Sequence, residues 1–109
     1  MSRAKGNLAE DKACNYLNEN GFIIIERNFY SRFGELDIIA TKDEVIHFIE
    51  VKSGLDYESA IGNITKSKLS KLIKTANVYM KKNALDVDFV FDAIVVIPKD
   101  ICFVENITI

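Results

Sequence analysis

Two short segments with the period of half-buried strands, Gly34-Glu35-Leu36-Asp37-Ile38-Ile39-Ala40 and Phe48-Ile49-Glu50-Val51-Lys52, constrain this chain more than any other feature. Successive strand residues face opposite sides of a sheet, so Glu50 and Lys52 share a face with Ile46 and Phe48 while Val51 points the other way. Thr41-Lys42-Asp43-Glu44 interrupts the two strands as a hairpin does, and a two-residue loop at Lys42-Asp43 pairs Thr41 with Glu44. In that register Asp37 stands opposite Phe48. Glu50 is its diagonal neighbour, roughly 7 Å away between backbones, near enough for both side chains to converge on one ion. Acids desolvated among Ile39, Ile46 and Phe48 must be paired, protonated or bound to a cation. Two readings follow: Asp37 and Glu50 hold a metal ion with Lys52 attached, or Lys52 pairs with one of them on a solvent-facing side of the hairpin. A one-residue slip would place the acids on opposite faces.

The rest of the chain supplies the frame. Gly6 to Asn20 has helical spacing in Ala9, Ala13, Tyr16 and Leu17 and a natural stop at Gly21. Glu10 lies on the edge of that apolar stripe, as a functional acid or as a first-turn acid favoured by the helix dipole. Phe22 to Tyr30 reads as a strand and Ser31-Arg32-Phe33-Gly34 as a turn. The motif strands span about Glu35 to Thr41 and Glu44 to Lys52. Ser53 to Gly62 lacks periodicity and is read as a loop. Ile64 to about Asn83 is an amphipathic helix with Leu69, Leu72, Ile73, Ala76, Tyr79 and Met80 on its apolar side and Thr65 or Asn63 as its cap. Val87 to Ile97 is an apolar strand, Pro98-Lys99-Asp100 a turn, and Ile101 to Ile109 a last strand. The order αβββαββ implies one α/β domain over residues 1–109, a mixed sheet with helices packed against it.

Composition excludes several classes. A chain of 109 residues with 49% hydrophobic and 28% charged content is that of a soluble globular domain. No apolar run approaches the roughly 20 residues of a membrane span, and Met1-Ser2-Arg3-Ala4-Lys5-Gly6 leads into polar sequence, so a cytoplasmic location without membrane contact is expected. Cys14 and Cys102 fit buried thiols. The single histidine, His47, faces away from Glu50, which disfavours a histidine-rich metal site. The net charge is −2, yet six lysines and no acid lie between Thr65 and Ala84. That helix is either a local basic surface or a solvated face.

With the elements in this order, the residues resemble the PD-(D/E)XK nuclease superfamily: an acid on the first helix, Gly34-Glu35-Leu36-Asp37, then Glu50-Val51-Lys52 thirteen residues on, then a lysine-bearing helix. More narrowly, Gly34 to Ala40, Phe48 to Lys52, the helix centred on Lys68 and Phe91-Asp92-Ala93-Ile94-Val95-Val96 resemble the YraN-like family of small bacterial predicted endonucleases, over about Lys5 to Ile97. The resemblance implies a restriction-endonuclease-like fold and a role for each matching residue. Asp37 and Glu50 would be metal ligands, the Val51 backbone carbonyl would add one more, and Glu10 would reach the metal directly or through water. Lys52 would orient or activate the attacking water. Oxygen ligands of this kind suit Mg2+ or Mn2+. Beside two carboxylates, Lys52 is expected to position and stabilise charge in preference to acting as a general base. Two positions depart from the pattern: Gly54 stands where relatives commonly carry arginine, and Leu36 where the wider superfamily often has proline.

The expectation is therefore a metal-dependent endonuclease that hydrolyses phosphodiester bonds in DNA, with branched or flap structures among the candidate substrates. Its catalytic set is Glu10, Asp37, Glu50 and Lys52, and Lys66, Lys68, Lys71 and Lys74 line the DNA approach. A homodimer is left open. The rival expectation is a nucleic-acid-binding or partner-binding module that keeps the fold without cleavage. A more distant one is a structural domain whose acids form a surface salt-bridge network.

Overall fold

The computed structural model describes residues 5–108. Its elements run α1 (Lys5–Glu19), β1 (Ile23–Ser31), β2 (Gly34–Lys42), β3 (Val45–Ser53), α2 (Tyr57–Ile61), α3 (Lys66–Lys82), β4 (Phe89–Ile97) and β5 (Asp100–Val104). The five strands form one sheet in chain order, antiparallel throughout except for the parallel pair β3 and β4. A parallel pair needs a long crossover, which α2 and α3 supply. The chain is thus a mixed α/β fold with helices against the sheet, as the element order implies.

Two segments differ from expectation, beside shifts of one or two residues at other element ends. The segment read as a loop contains α2, capped by Asp56, whose Oδ1 accepts the Ser59 N–H at 2.8 Å. Five residues are too few to show helical periodicity. The last strand stops at Val104, where Asn106 (φ 55) turns the backbone, and residue 109 lies outside the described part of the chain. Thr65, not Asn63, caps α3 by accepting the Lys68 N–H at 3.2 Å.

The hairpin register also moves. Its loop is Asp43-Glu44, with φ of 52° and 69°, so Lys42 pairs with Val45 and Ile39 with Phe48. Two left-handed residues in succession match the twist of a two-residue hairpin. Relative to the expected pairing the strand has slid by two residues, and an even slide keeps every side chain on its face.

Each face of the sheet buries its own core. Ala9, Ala13, Cys14 and Leu17 of α1 pack with Phe22, Ile38, Ala40, Ile49, Ile94 and Val96. On the other face Leu72, Ala76, Tyr79 and Met80 of α3 pack with Phe29, Leu36, Ile39, Ile46, Phe48 and Phe91. Both cysteines are free; Cys14 is buried and Cys102 half-buried. His47 lies on the α1 face, edge-on to Phe22, with its Nδ1 2.5 Å from the buried Asp92 carboxylate. It is held there, on the side of the sheet away from Glu50.

The clusters expose a local irregularity that matters for the site. Leu36 belongs to the α3 face and Ile38 to the α1 face, although two residues apart they would share a face in a regular strand. In β1, Arg27 reaches α1 while Phe29 packs under α3. The pairs Arg27↔Ile38 and Phe29↔Leu36 flank this reversal, so Asn28 and Asp37 face each other across it. Asn28 has φ 56, which asparagine tolerates better than most residues. Such irregularities bend a strand and re-aim the side chain they carry.

Candidate active site

Asp37 and Glu50 stand at a fork in the sheet. β2 and β3 are paired from Lys42↔Val45 to Ile38↔Ile49, and then they part. β2 continues beside β1 to Ser31↔Gly34, whereas β3 continues beside β4 to Ser53↔Val96. The two acids occupy the first positions past the last pair. The revised register thus sets them across from each other in place of the diagonal arrangement expected.

Their chemistry follows from that position. Asp37 Oδ2 accepts the Val51 N–H at 2.8 Å. The Asp37 and Glu50 carboxyl groups lie within hydrogen-bond reach of each other, and Lys52 Nζ forms an ion pair with Glu50 Oε2 at 3.1 Å. Burial, and then the Glu50 charge, push the Asp37 carboxyl up to about 8, against the opposing pull of the Val51 N–H. At neutral pH the shift favours the protonated Asp37 carboxyl beside Glu50. A hard divalent cation answers the same demand, since Mg2+ commonly binds through one or two carboxylates and keeps waters for a phosphate. The donor set present here fits such an ion through Asp37 and Glu50.

Glu10 is placed differently. It is buried in the second turn of α1, beyond the first turn that the dipole reading required, and Arg27 Nη2 lies 3.4 Å from its Oε1 and 2.9 Å from Asp11 Oδ1. Among the described residues no three acid, histidine or cysteine side chains gather closely enough to ligate one ion. Glu10 belongs to the electrostatic surroundings of Asp37, which its charge also raises. Val51 enters the site through its N–H.

Several participants escaped the sequence reading. Glu35 joins the acid group: burial raises its carboxyl, the Glu10 and Glu50 charges add to this, and the Tyr30 hydroxyl opposes it. With its amide oriented to donate, Asn28 Nδ2 reaches Glu35 Oε2 at 2.8 Å and Glu10 Oε1 at 3.3 Å. Arg27 supplies the cation beside Glu10. Position 35 was legible only through its place two residues before Asp37; Asn28 and Arg27 carried no signal.

The lysine helix meets this site over its first half. Lys68, Lys71 and Leu72 of α3 close a cavity of about 160 Å³ whose other walls are Gly34, Glu35, Glu50 and Lys52. Lys74 reaches the Phe33 ring, and Lys66 is exposed at the start of the helix outside this cavity.

Comparison with known proteins settles the family. Residues 9–96 match the family described as Uncharacterised protein family UPF0102. The chain belongs to this family. UPF0102 proteins of Sulfurimonas denitrificans and Wolinella succinogenes are 68% and 49% identical to it, each over 100% of both chains. One from Aliarcobacter butzleri is 48% identical over 99% of both. Residues 9–96 contain Glu10, Asp37, Glu50, Lys52 and the α3 lysines, so the family match includes the whole candidate site. None of the described helices is long and apolar enough to cross a membrane.

Proposed function

We propose that this UPF0102 member is a metal-dependent DNA endonuclease of the PD-(D/E)XK type, with Mg2+ or Mn2+ held by Asp37 and Glu50. The observation that carries this reading is the convergence of two carboxylates at the strand fork, with Lys52 on one of them and Lys68 and Lys71 over the same cavity. When bound, such an ion neutralises phosphate charge and makes a coordinated water more acidic.

The chain's own residues do the rest. The Val51 N–H fixes the Asp37 carboxylate, so its free oxygen is aimed before any ligand arrives. Lys52, anchored on Glu50, lies where negative charge develops on the transferring phosphoryl group and stabilises it. Lys68 and Lys71 bring the phosphate into the cavity by charge. Half-buried Arg27 balances Glu10 and limits the negative potential that a DNA strand meets.

A second reading, a DNA-binding module without efficient cleavage, draws on the position of Glu10, which stands with Arg27 and outside any three-ligand group. One assay separates them. Single-stranded, duplex, flap and four-way-junction DNA are incubated with Mg2+ or Mn2+ beside an Asp37→Asn control. Cleavage of at least one substrate that the control lacks supports the nuclease; binding without cleavage in both metals supports the module.

A further inference from the structure

The turn between β1 and β2 is built against α3 more firmly than a connection requires. Ser31 Oγ accepts the Phe33 N–H at 3.0 Å and is left to donate to Thr75 Oγ1 at 3.0 Å. Thr75, with 0% exposure, in turn donates to the Lys71 carbonyl at 2.9 Å. Gly34 lies so close to the helix that a Cβ there would stand 3.8 Å from Thr75 Oγ1 and 3.9 Å from Lys71 Cβ. The chain of bonds fixes Phe33 beside the helix, and two cations settle on its ring: Arg32 Cζ at 4.9 Å and Lys74 Nζ at 5.6 Å from the centroid.

Among the described residues no ion pair involves Arg32, Lys68, Lys71 or Lys74, whereas Lys52 and Arg27 are both paired. Like charges collected without a counter-charge fit an anionic partner. Lys71 and Gly34 line the acid cavity, and Gly34 directly follows Phe33 in the chain, so the cavity adjoins the turn that carries Arg32.

We infer that Arg32, Phe33 and Lys74 form a second phosphate subsite, which grips a DNA strand beyond the phosphate lodged over Asp37 and Glu50. This rests on the nuclease reading and deepens it by giving the strand a path. Arg32 offers a planar fork suited to two phosphate oxygens, and its contact with Phe33 holds that fork in place before binding, which lowers the ordering cost. Lys74 adds a second charge on the other contact to the ring. The contacts are to the backbone and carry no sequence information.

The test is DNA binding over a salt series, in Ca2+ to suppress cleavage, with labelled duplexes of two unrelated sequences. Arms are the parent, Arg32→Ala, Phe33→Leu, a Lys71/Lys74 double alanine variant and a Lys81/Lys82 double alanine variant. Lys81 and Lys82 lie at the far end of α3, roughly 20 Å from Lys68, and serve as the control. Arg32→Ala is expected to weaken binding equally for both sequences and to flatten the plot of log affinity against log salt by about one unit, Phe33→Leu by a fraction of that, and the Lys71/Lys74 variant by about two. The Lys81/Lys82 variant keeps the parent slope. Binding by the parent with unchanged slopes for Arg32→Ala and Phe33→Leu would overturn the subsite and leave the acid site standing. Equal flattening in the Lys81/Lys82 variant would also overturn it, by showing diffuse attraction. No DNA binding by the parent at all would remove the subsite and the nuclease reading together.

Discussion

Asp37 Oδ2 accepts the Val51 N–H at 2.8 Å, so a β2 side chain bonds the β3 backbone at the point where the two strands have stopped pairing. This bond keeps the fork closed at its base while holding a carboxylate beside Glu50. Burial first, and then the Glu50 charge, raise the Asp37 carboxyl held there.

The first prediction concerns pH. In the metal-free protein the Asp37 carboxyl is raised from the ordinary 3.8 to about 8, so between these values the folded state holds a proton that the unfolded state has released. Stability from this group is present in full below about 3.8 and is lost as pH rises through about 8. Asp37→Asn, which stays neutral, should therefore be more stable than the parent at pH 9 and should show a flatter stability profile between pH 5 and 8 in chelator. Urea denaturation at several pH values reads this directly. Equal profiles for variant and parent would show that neither burial nor Glu50 raises the Asp37 carboxyl.

Lys52→Ala should separate chemistry from binding. Its Nζ sits on Glu50 beside the acids, where its charge is engaged before a strand arrives, so its contribution falls mainly on the transition state. Turnover on a cleavable DNA should drop by about a hundredfold with affinity changed less than about threefold, in line with loss of one electrostatic stabiliser. Comparable losses in both would make Lys52 an ordinary phosphate contact.

Asn28 tests the reversal that aims Asp37. Asn28→Ala puts at φ 56 a residue that tolerates the left-handed region less well than asparagine and removes the amide that reaches Glu35 and Glu10, so a loss of about 1–2 kcal/mol in unfolding free energy is expected. Asn28→Gly relieves the backbone part and should recover a portion of that loss. Thermal or urea unfolding of the two variants decides; an unaffected Asn28→Ala would mean the strand reversal is held elsewhere.

What was legible in the sequence divides along physical lines. The faces of Glu50, Lys52 and Val51 follow from strand alternation and survive the register change, because a slide of two residues preserves them. The amphipathic α3 stripe and its threonine cap were equally readable, except that Ile73, expected on the apolar side, is exposed. The turn position was not, since Asp43 and Glu44 lack the glycine or asparagine that marks left-handed turns. Nor was the reversal at Asn28 and Asp37, a tertiary event that alternation alone cannot encode. For the same reason Arg27 and Asn28 stayed invisible: their partners are 17 and 18 residues away at Glu10.

The most direct test of the central claim is calorimetric titration of Mn2+ into the parent, Asp37→Asn and Glu50→Gln at pH 7.5. If the two facing carboxylates hold the ion, the parent binds Mn2+ with release of a proton, and each variant binds at least about tenfold more weakly. Unchanged Mn2+ affinity in both variants would contradict the account.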